Sequence, residues 1–228
     1  MYPSTTHPGT VRPRTTVVAC LVAALLGAGA RGALATAPPA PARAAHPGAV
    51  GPSTQVNGLP AGFARSRGGA VAAATTYVRD AQRLFYLPDV EQTDALRAIA
   101  ARASTDAYVA QAHAELAELD GIAARGHGHL TWDVAVLATR TDAYTDQRAD
   151  ISVWRVGILS IDGLTAPLAE WTTVAYELVW ERGDWRIWSE TQTAGPTPMG
   201  HPDDPPSTPD QLQTDLAGFT RYPGPDPF

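Results

Sequence analysis

Tyr176-Glu-Leu-Val-Trp-Glu-Arg-Gly-Asp-Trp-Arg-Ile-Trp188 says most about the architecture of this chain. Together with Val174, residues Tyr176, Leu178 and Trp180 face one way, while Thr173, Glu177 and Glu181 face the other. That is the two-residue period of a half-buried strand. Arg182-Gly183-Asp184-Trp185 reverses the chain, with glycine supplying the positive φ that the first central position of a tight hairpin needs. Trp185, Ile187 and Trp188 then continue into a further strand. The same period runs through Leu130, Trp132, Val134 and Val136, which alternate with Thr131, Asp133 and Ala135. Another strand covers about Asp150 to Leu159, with Trp154, Val156 and Ile158 on one face; Ile151 and Val153, in the opposite phase, point to a bulge.

Upstream of these strands the period is helical. Val71, Ala74, Val78, Ala81 and Phe85 recur three and four apart, and Tyr77 and Leu84 widen the stripe of a helix from Gly69 to Leu87. Pro88 ends it. Asp89 and Gln92 match a capping box for a second helix carrying Leu96, Ile99, Ala100 and Ala103. Ser104 can cap a third, with Val109, Ala112, Leu116 and Leu119, and Tyr108 alongside. Helices first and antiparallel strands after them predict an α+β fold. The expectation is N-terminal helices packed in a curved antiparallel sheet, a cone-shaped roll, preceded by an apolar leader helix.

Charge divides the 228 residues into unlike segments. All 17 basic residues are arginine, against 23 acids, for a net charge of −6. Residues 1–67 carry +6, residues 68–195 carry −8 and residues 196–228 carry −4. An acidic folded region argues against nucleic acid as a partner, since phosphate contacts need a basic face. The single cysteine, Cys20, excludes an intramolecular disulfide framework and a CxxC redox pair.

Residues 1–14 read as a basic cytoplasmic tip, with Arg12 and Arg14 before an uncharged run from Thr15 to Ala30. Val17, Val18, Leu21, Val22, Leu25 and Leu26 are the apolar side chains of this candidate anchor, and residues 15–37 form the whole segment. Two readings stand: a signal peptide with a small-residue cleavage site near Ala37, or a single-pass anchor held by the positive-inside rule. Either places the downstream residues outside the cytoplasm, at the cell membrane or secreted. Val17-Val-Ala-Cys20 has the form of a lipobox, although most of the apolar run lies after the cysteine. Residues 38–67 are rich in Ala, Pro and Gly and read as a linker. The roll then spans 68–195.

The order of elements resembles the nuclear-transport-factor-two-like superfamily, on the strength of the helix at 69–87 and the hairpin 176–188. With a basic tip, one apolar segment and a Pro/Ala linker, the layout is similar to envelope proteins of conjugative and mobile elements in high-GC Gram-positive bacteria. That resemblance implies envelope protein partners and a non-enzymatic role in assembly beside a transfer or secretion apparatus. The alternative it leaves is a small-molecule-binding or hydrolase- or isomerase-like cone.

Chemical motifs are sparse. Tyr77, Tyr108, Trp132, Trp154, Tyr176, Trp180 and Trp185 are candidate cone-lining residues. They either fill the interior or leave an aromatic patch together with Trp171 and Trp188. His127 and His129, with His113 upstream, lack a Cys or acid at ligand spacing, so no metal is expected. GxSxG, GxGxxG and P-loop patterns are absent, and no cofactor is expected. Asp133 and Asp150 stand opposite the apolar residues of their strands and are read as facing water. Arg182-Gly183-Asp184 spells an adhesion tripeptide that a hairpin already explains. In the Pro/Asp-rich tail, Thr208, Pro209 and Gln211 open a short helix over 209–217. Its Leu212 and Leu216, with Phe219, would dock on this domain or on a partner.

Overall fold

A computed structural model describes residues 50–123, 130–161, 165–199 and 206–223. In chain order the elements are β1 (Thr54–Val56), β2 (Leu59–Ala61), α1 (Arg67–Phe85), α2 (Asp89–Ile99), α3 (Thr105–Ala123), β3 (Leu130–Tyr144), β4 (Arg148–Ile161), β5 (Thr165–Glu181), β6 (Asp184–Ala194), α4 (Pro209–Asp215) and β7 (Thr220–Arg221). Strands β3 to β6 form a meander. β7 joins its far side, giving one antiparallel sheet in the order β6-β5-β4-β3-β7, beside a separate hairpin β1-β2.

This corrects the expected fold class. The described residues form a mostly antiparallel structure, a five-stranded sheet plus a two-stranded one with four helices. They do not show a cone-shaped roll behind a leader helix. The sheet ends in two distinct edge strands, β6 and β7, and a strand from the tail extends it on the β3 side. The anchor residues Val17, Val18, Leu21, Val22, Leu25 and Leu26 lie outside the described residues. Among the described residues no helix is long and apolar enough to cross a membrane.

α1 lies chiefly on β3 and β4 and buries Ala70, Ala73, Ala74, Tyr77 and Val78 against the sheet's inner face. Ser66 caps it by accepting a hydrogen bond from the Gly69 amide (3.1 Å). Glycine is required at 69 because a Cβ there would collide with the Ala64 carbonyl. α2 begins differently from its expected capping box. Pro88 is the N-cap and Asp89 is already helical, so the Gln92 side chain turns back to donate to the Leu84 carbonyl (3.1 Å) and ties α2 to the end of α1.

The pairing also corrects the phase of β4. Ile151, Val153 and Arg155 are buried, followed by Leu159 and Ile161, whereas Trp154 is half-buried and Ile158 is 46% exposed. The inner face is therefore the odd-numbered set, with no bulge needed to reconcile Ile151 and Val153. Register shifts fall elsewhere: in β3 between Val136 and Ala138 and between Thr141 and Ala143, in the β4–β5 pairing between Leu159 and Ile161, and in the β5–β6 pairing between Glu177 and Leu178. The β5–β6 turn is a two-residue hairpin as expected but sits one residue earlier, because Glu181 pairs with Asp184. Arg182 and Gly183 are its two central residues, with φ of 57° and 77°. Positive φ at both is the two-residue hairpin geometry that matches strand twist. The Arg182 guanidinium secures the strained position by donating to the Ala100 carbonyl (2.9 Å).

Part of the expected linker is structured. Asn57 and Gly58, with φ of 49° and 78°, turn the hairpin β1-β2, and Leu59, Ala61 and Phe63 are buried beyond it. Buried Asp184 holds this segment, accepting from the amides of Gly62 (2.8 Å), Phe63 (3.0 Å) and Trp185 (2.9 Å).

Candidate ligand-binding site

The helices do not fill all the space over the sheet. Between α1, α2, α3 and the inner faces of β4, β5 and β6 lies a cavity open to the centre of a water molecule over about 80 Å³. That is room for several waters or a small organic group. Its helical wall is apolar, made of Val78, Ala81 and Leu84 from α1, Leu96 and Ile99 from α2, and Ala112 and Leu116 from α3. The sheet supplies the polar end, where Arg155, Tyr176, Glu190 and Gln192 meet Tyr77 of α1 and Tyr108, Gln111 and Glu115 of α3.

Strand register sets this polar end. Arg155 is opposite Thr172, Tyr176 is opposite Glu190, and Gln192 is opposite Val174, so all project from one face. The Arg155 Nε donates to Thr172 Oγ1 (2.8 Å) and its Nη2 to Gln192 Oε1 (2.9 Å). The other end of the Gln192 amide donates from Nε2 to Glu190 Oε1 (3.0 Å). Tyr108 donates its hydroxyl to Glu190 Oε2 (3.4 Å), and Tyr176 stands opposite Glu190 across the β5–β6 pairing. Arg155 and Glu190 make no direct ion pair, because the Gln192 side chain stands between them.

Burial governs the protonation of these groups. It pushes the Glu190 carboxyl above its ordinary value, and nearby Glu115 adds to the push. Arg155 and the bonds from Gln192 and Tyr108 pull it back only in part. Burial also raises Tyr108 and Tyr176 well above the usual phenol range, and the Glu190 charge raises them further. Tyr77 is raised mainly by burial; its hydroxyl donates to the Trp185 carbonyl (2.6 Å). The arrangement offers a charged donor and a charged acceptor side by side. Both Glu190 oxygens already accept from protein donors, which suits the carboxylate to receive a ligand's donors more than to act as an unencumbered base.

The candidate residues from the sequence divide cleanly. Tyr77, Tyr108 and Tyr176 line the cavity. Trp132, Trp154, Trp180 and Trp185 are not among its lining residues. Trp185 is fully buried, its indole N–H donating to the Ala64 carbonyl (2.9 Å) and its ring edge-on to Trp180. Trp132 is buried, and Trp154 donates to the Pro196 carbonyl (3.0 Å). In the tail, Leu212, Leu216 and Phe219 are half-buried, and Arg140 lies over the Phe219 ring at 4.7 Å. The tail helix itself ends at Asp215. Asp133 and Asp150 are exposed, and the His113 ring meets the Thr93 hydroxyl at 3.1 Å. His127 and His129 lie outside the described residues, among which no group of His, Cys, Asp and Glu could hold a metal ion. Sequence reading misses Arg155, Glu190 and Gln192. Their signal is present only as polar residues on strands whose inner phase pairing alone fixes.

A family model described as a domain of unknown function (DUF8175) matches residues 40–221. The chain belongs to this family. The DUF8175 span takes in the β1-β2 hairpin and runs to the last residue of β7, so both flanks of the meander fall within it. No curated protein matches the chain. Among solved structures it is similar to the intermembrane space region of the chloroplast protein ARC6, at 20% identity over 56% of this chain and 93% of that one, with a TM-score of 0.34. A likeness that slight carries no argument about the DUF8175 domain.

Proposed function

We propose that this domain is a receptor for a small amphiphilic molecule, held in the cavity between the helices and the sheet and presented outside the cytoplasm by the leader. The observation that carries the reading is the two-sided lining: seven aliphatic residues face a polar end in which Arg155 and Glu190 keep their charges apart. Pockets with apolar walls and a few convergent polar groups are the usual form of small-molecule sites. Assembly through an exposed apolar face has less support. Among the described residues of the meander the large exposed apolar ones are Ile158 and Trp188. Measured along β5 they stand beside Ala169 and Leu178, about 30 Å apart at the usual strand rise.

The test is titration calorimetry with 1-hexanol, pentylamine, hexanoate and norleucine. At least one should bind saturably. Ala112→Phe, which puts a ring into the cavity from α3, should weaken that binding at least tenfold with an unchanged circular dichroism spectrum. No saturable heat from any of the four, or equal binding by the filled variant, overturns the proposal.

A further inference from the structure

The polar end of the cavity specifies what kind of head group fits, an inference that rests on the receptor reading above. A guanidinium and a carboxylate that share one interior, here on β4 and β6 with β5 between them, ordinarily neutralise each other by direct contact, since leaving either uncompensated is costly. Here each is instead bonded to opposite ends of one amide. The Gln192 oxygen takes Arg155 and its nitrogen takes Glu190, at 2.9 and 3.0 Å. The amide orientation is fixed by these neighbours, because only a donor suits the carboxylate and only an acceptor suits the guanidinium. Arg155 commits Nε and Nη2 to protein acceptors, two of the five N–H groups a guanidinium carries. Both charged groups line the cavity, one amide's width apart.

We propose that the ligand is a small zwitterion on an apolar body, of the kind an aliphatic α-amino acid presents. Its carboxylate meets Arg155, its ammonium meets Glu190, and its side chain lies along Leu84, Leu96, Ile99 and Leu116. Two adjacent opposite charges on the ligand match two adjacent opposite charges on the protein, and neither partner is left uncompensated. Glu115, hydrogen-bonded to Gln111 (3.0 Å), adds a second carboxylate to the lining and biases the site toward the cationic half of the head group. Affinity should therefore rank norleucine first, pentylamine second and hexanoate third.

The same calorimetric series in wild-type protein tests this without relying on any variant's folding. Norleucine should bind at least tenfold more tightly than pentylamine, which lacks only the carboxylate. It should exceed hexanoate, which lacks only the ammonium, by more. Arg155→Met should bring norleucine down to the affinity of pentylamine, and Glu190→Gln should remove its advantage over hexanoate. If pentylamine or hexanol binds as tightly as norleucine, the zwitterion is refuted and the receptor stands. If none of the four binds, both readings fall.

Discussion

Glu190 is the side chain on which the cavity's chemistry turns, and its pH behaviour has a definite sign. Its carboxyl is raised in the folded protein, chiefly by burial. Between the ordinary carboxylate value and the raised one, the folded state holds a proton that the unfolded chain has released. Stability from this group is therefore greatest at low pH and falls as pH rises through the folded value. Glu190→Gln keeps an acceptor in place and removes the titration. The variant should gain melting temperature relative to wild type on going from about pH 4 to about pH 7, and parallel profiles would refute the assignment. Asp184 matters through its bonds, as a buried side chain tied into the fold on several sides. It accepts three amide hydrogens and lies 3.8 Å from the buried Arg186. Asp184→Ala strands those donors and that cation together, so a loss of about 3–5 kcal/mol in urea unfolding is expected. A loss under about 1 kcal/mol would mean that the network is dispensable. Of the two residues only Asp184 stands out in the sequence, and there as part of a turn. Arg155 shows why the rest is hidden. In Ile151-Ser-Val-Trp-Arg-Val-Gly-Ile158 two phases compete, and a charge at 155 tips a reader toward the even set. Hydrogen bonds to Thr172 and Gln192 make the odd set the buried one, and those partners lie 17 and 37 residues away.

Among the elements, local pattern identifies what local physics stabilises. The stripes of α1, α2 and α3 and the alternation of β3 and β5 are all visible in sequence, because each buries one face of a regular element. The capping box at Thr208 and Gln211 is also visible and forms as written, with bonds of 2.8 and 3.3 Å. The hairpin β1-β2 escapes a reading by periodicity although Asn57-Gly58 signals one. Its strands are three residues each, and what fixes them is distant: Asp184 below the turn and the Asn57 amide donating to the Asp94 carbonyl (3.0 Å). β7 has the same character. It pairs Arg221 with Ala138 and Thr220 with Thr139, and the Tyr222 amide donates to the Leu137 carbonyl (2.9 Å). Two residues of strand carry no periodicity to read. Deleting residues 206–228 uncovers this stretch of β3, and amide exchange at Leu137 to Thr139 should accelerate while binding in the cavity persists. Unchanged exchange there would show that the tail contributes no protection.

For the molecule as a whole, the arrangement of tyrosines offers a readout of integrity. Tyr77, Tyr108 and Tyr176 all have ionisation raised by burial in the same interior region. A group that stays neutral when folded favours the folded state up to the ordinary phenol value and loses that contribution as pH climbs beyond it. In a spectrophotometric titration these three of the seven tyrosines should ionise only as the fold is lost, in one cooperative step. Smooth independent titration near pH 10 would contradict their burial. The sheet that carries Tyr176 also ties the cavity to the protein's mechanics. Glu190 and Gln192 stand on β6, at the margin, and Arg155 stands two strands inward on β4. Any occupant that grips both ends therefore acts as a cross-brace, stapling a border strand to the interior, and occupancy becomes legible as resistance to heat.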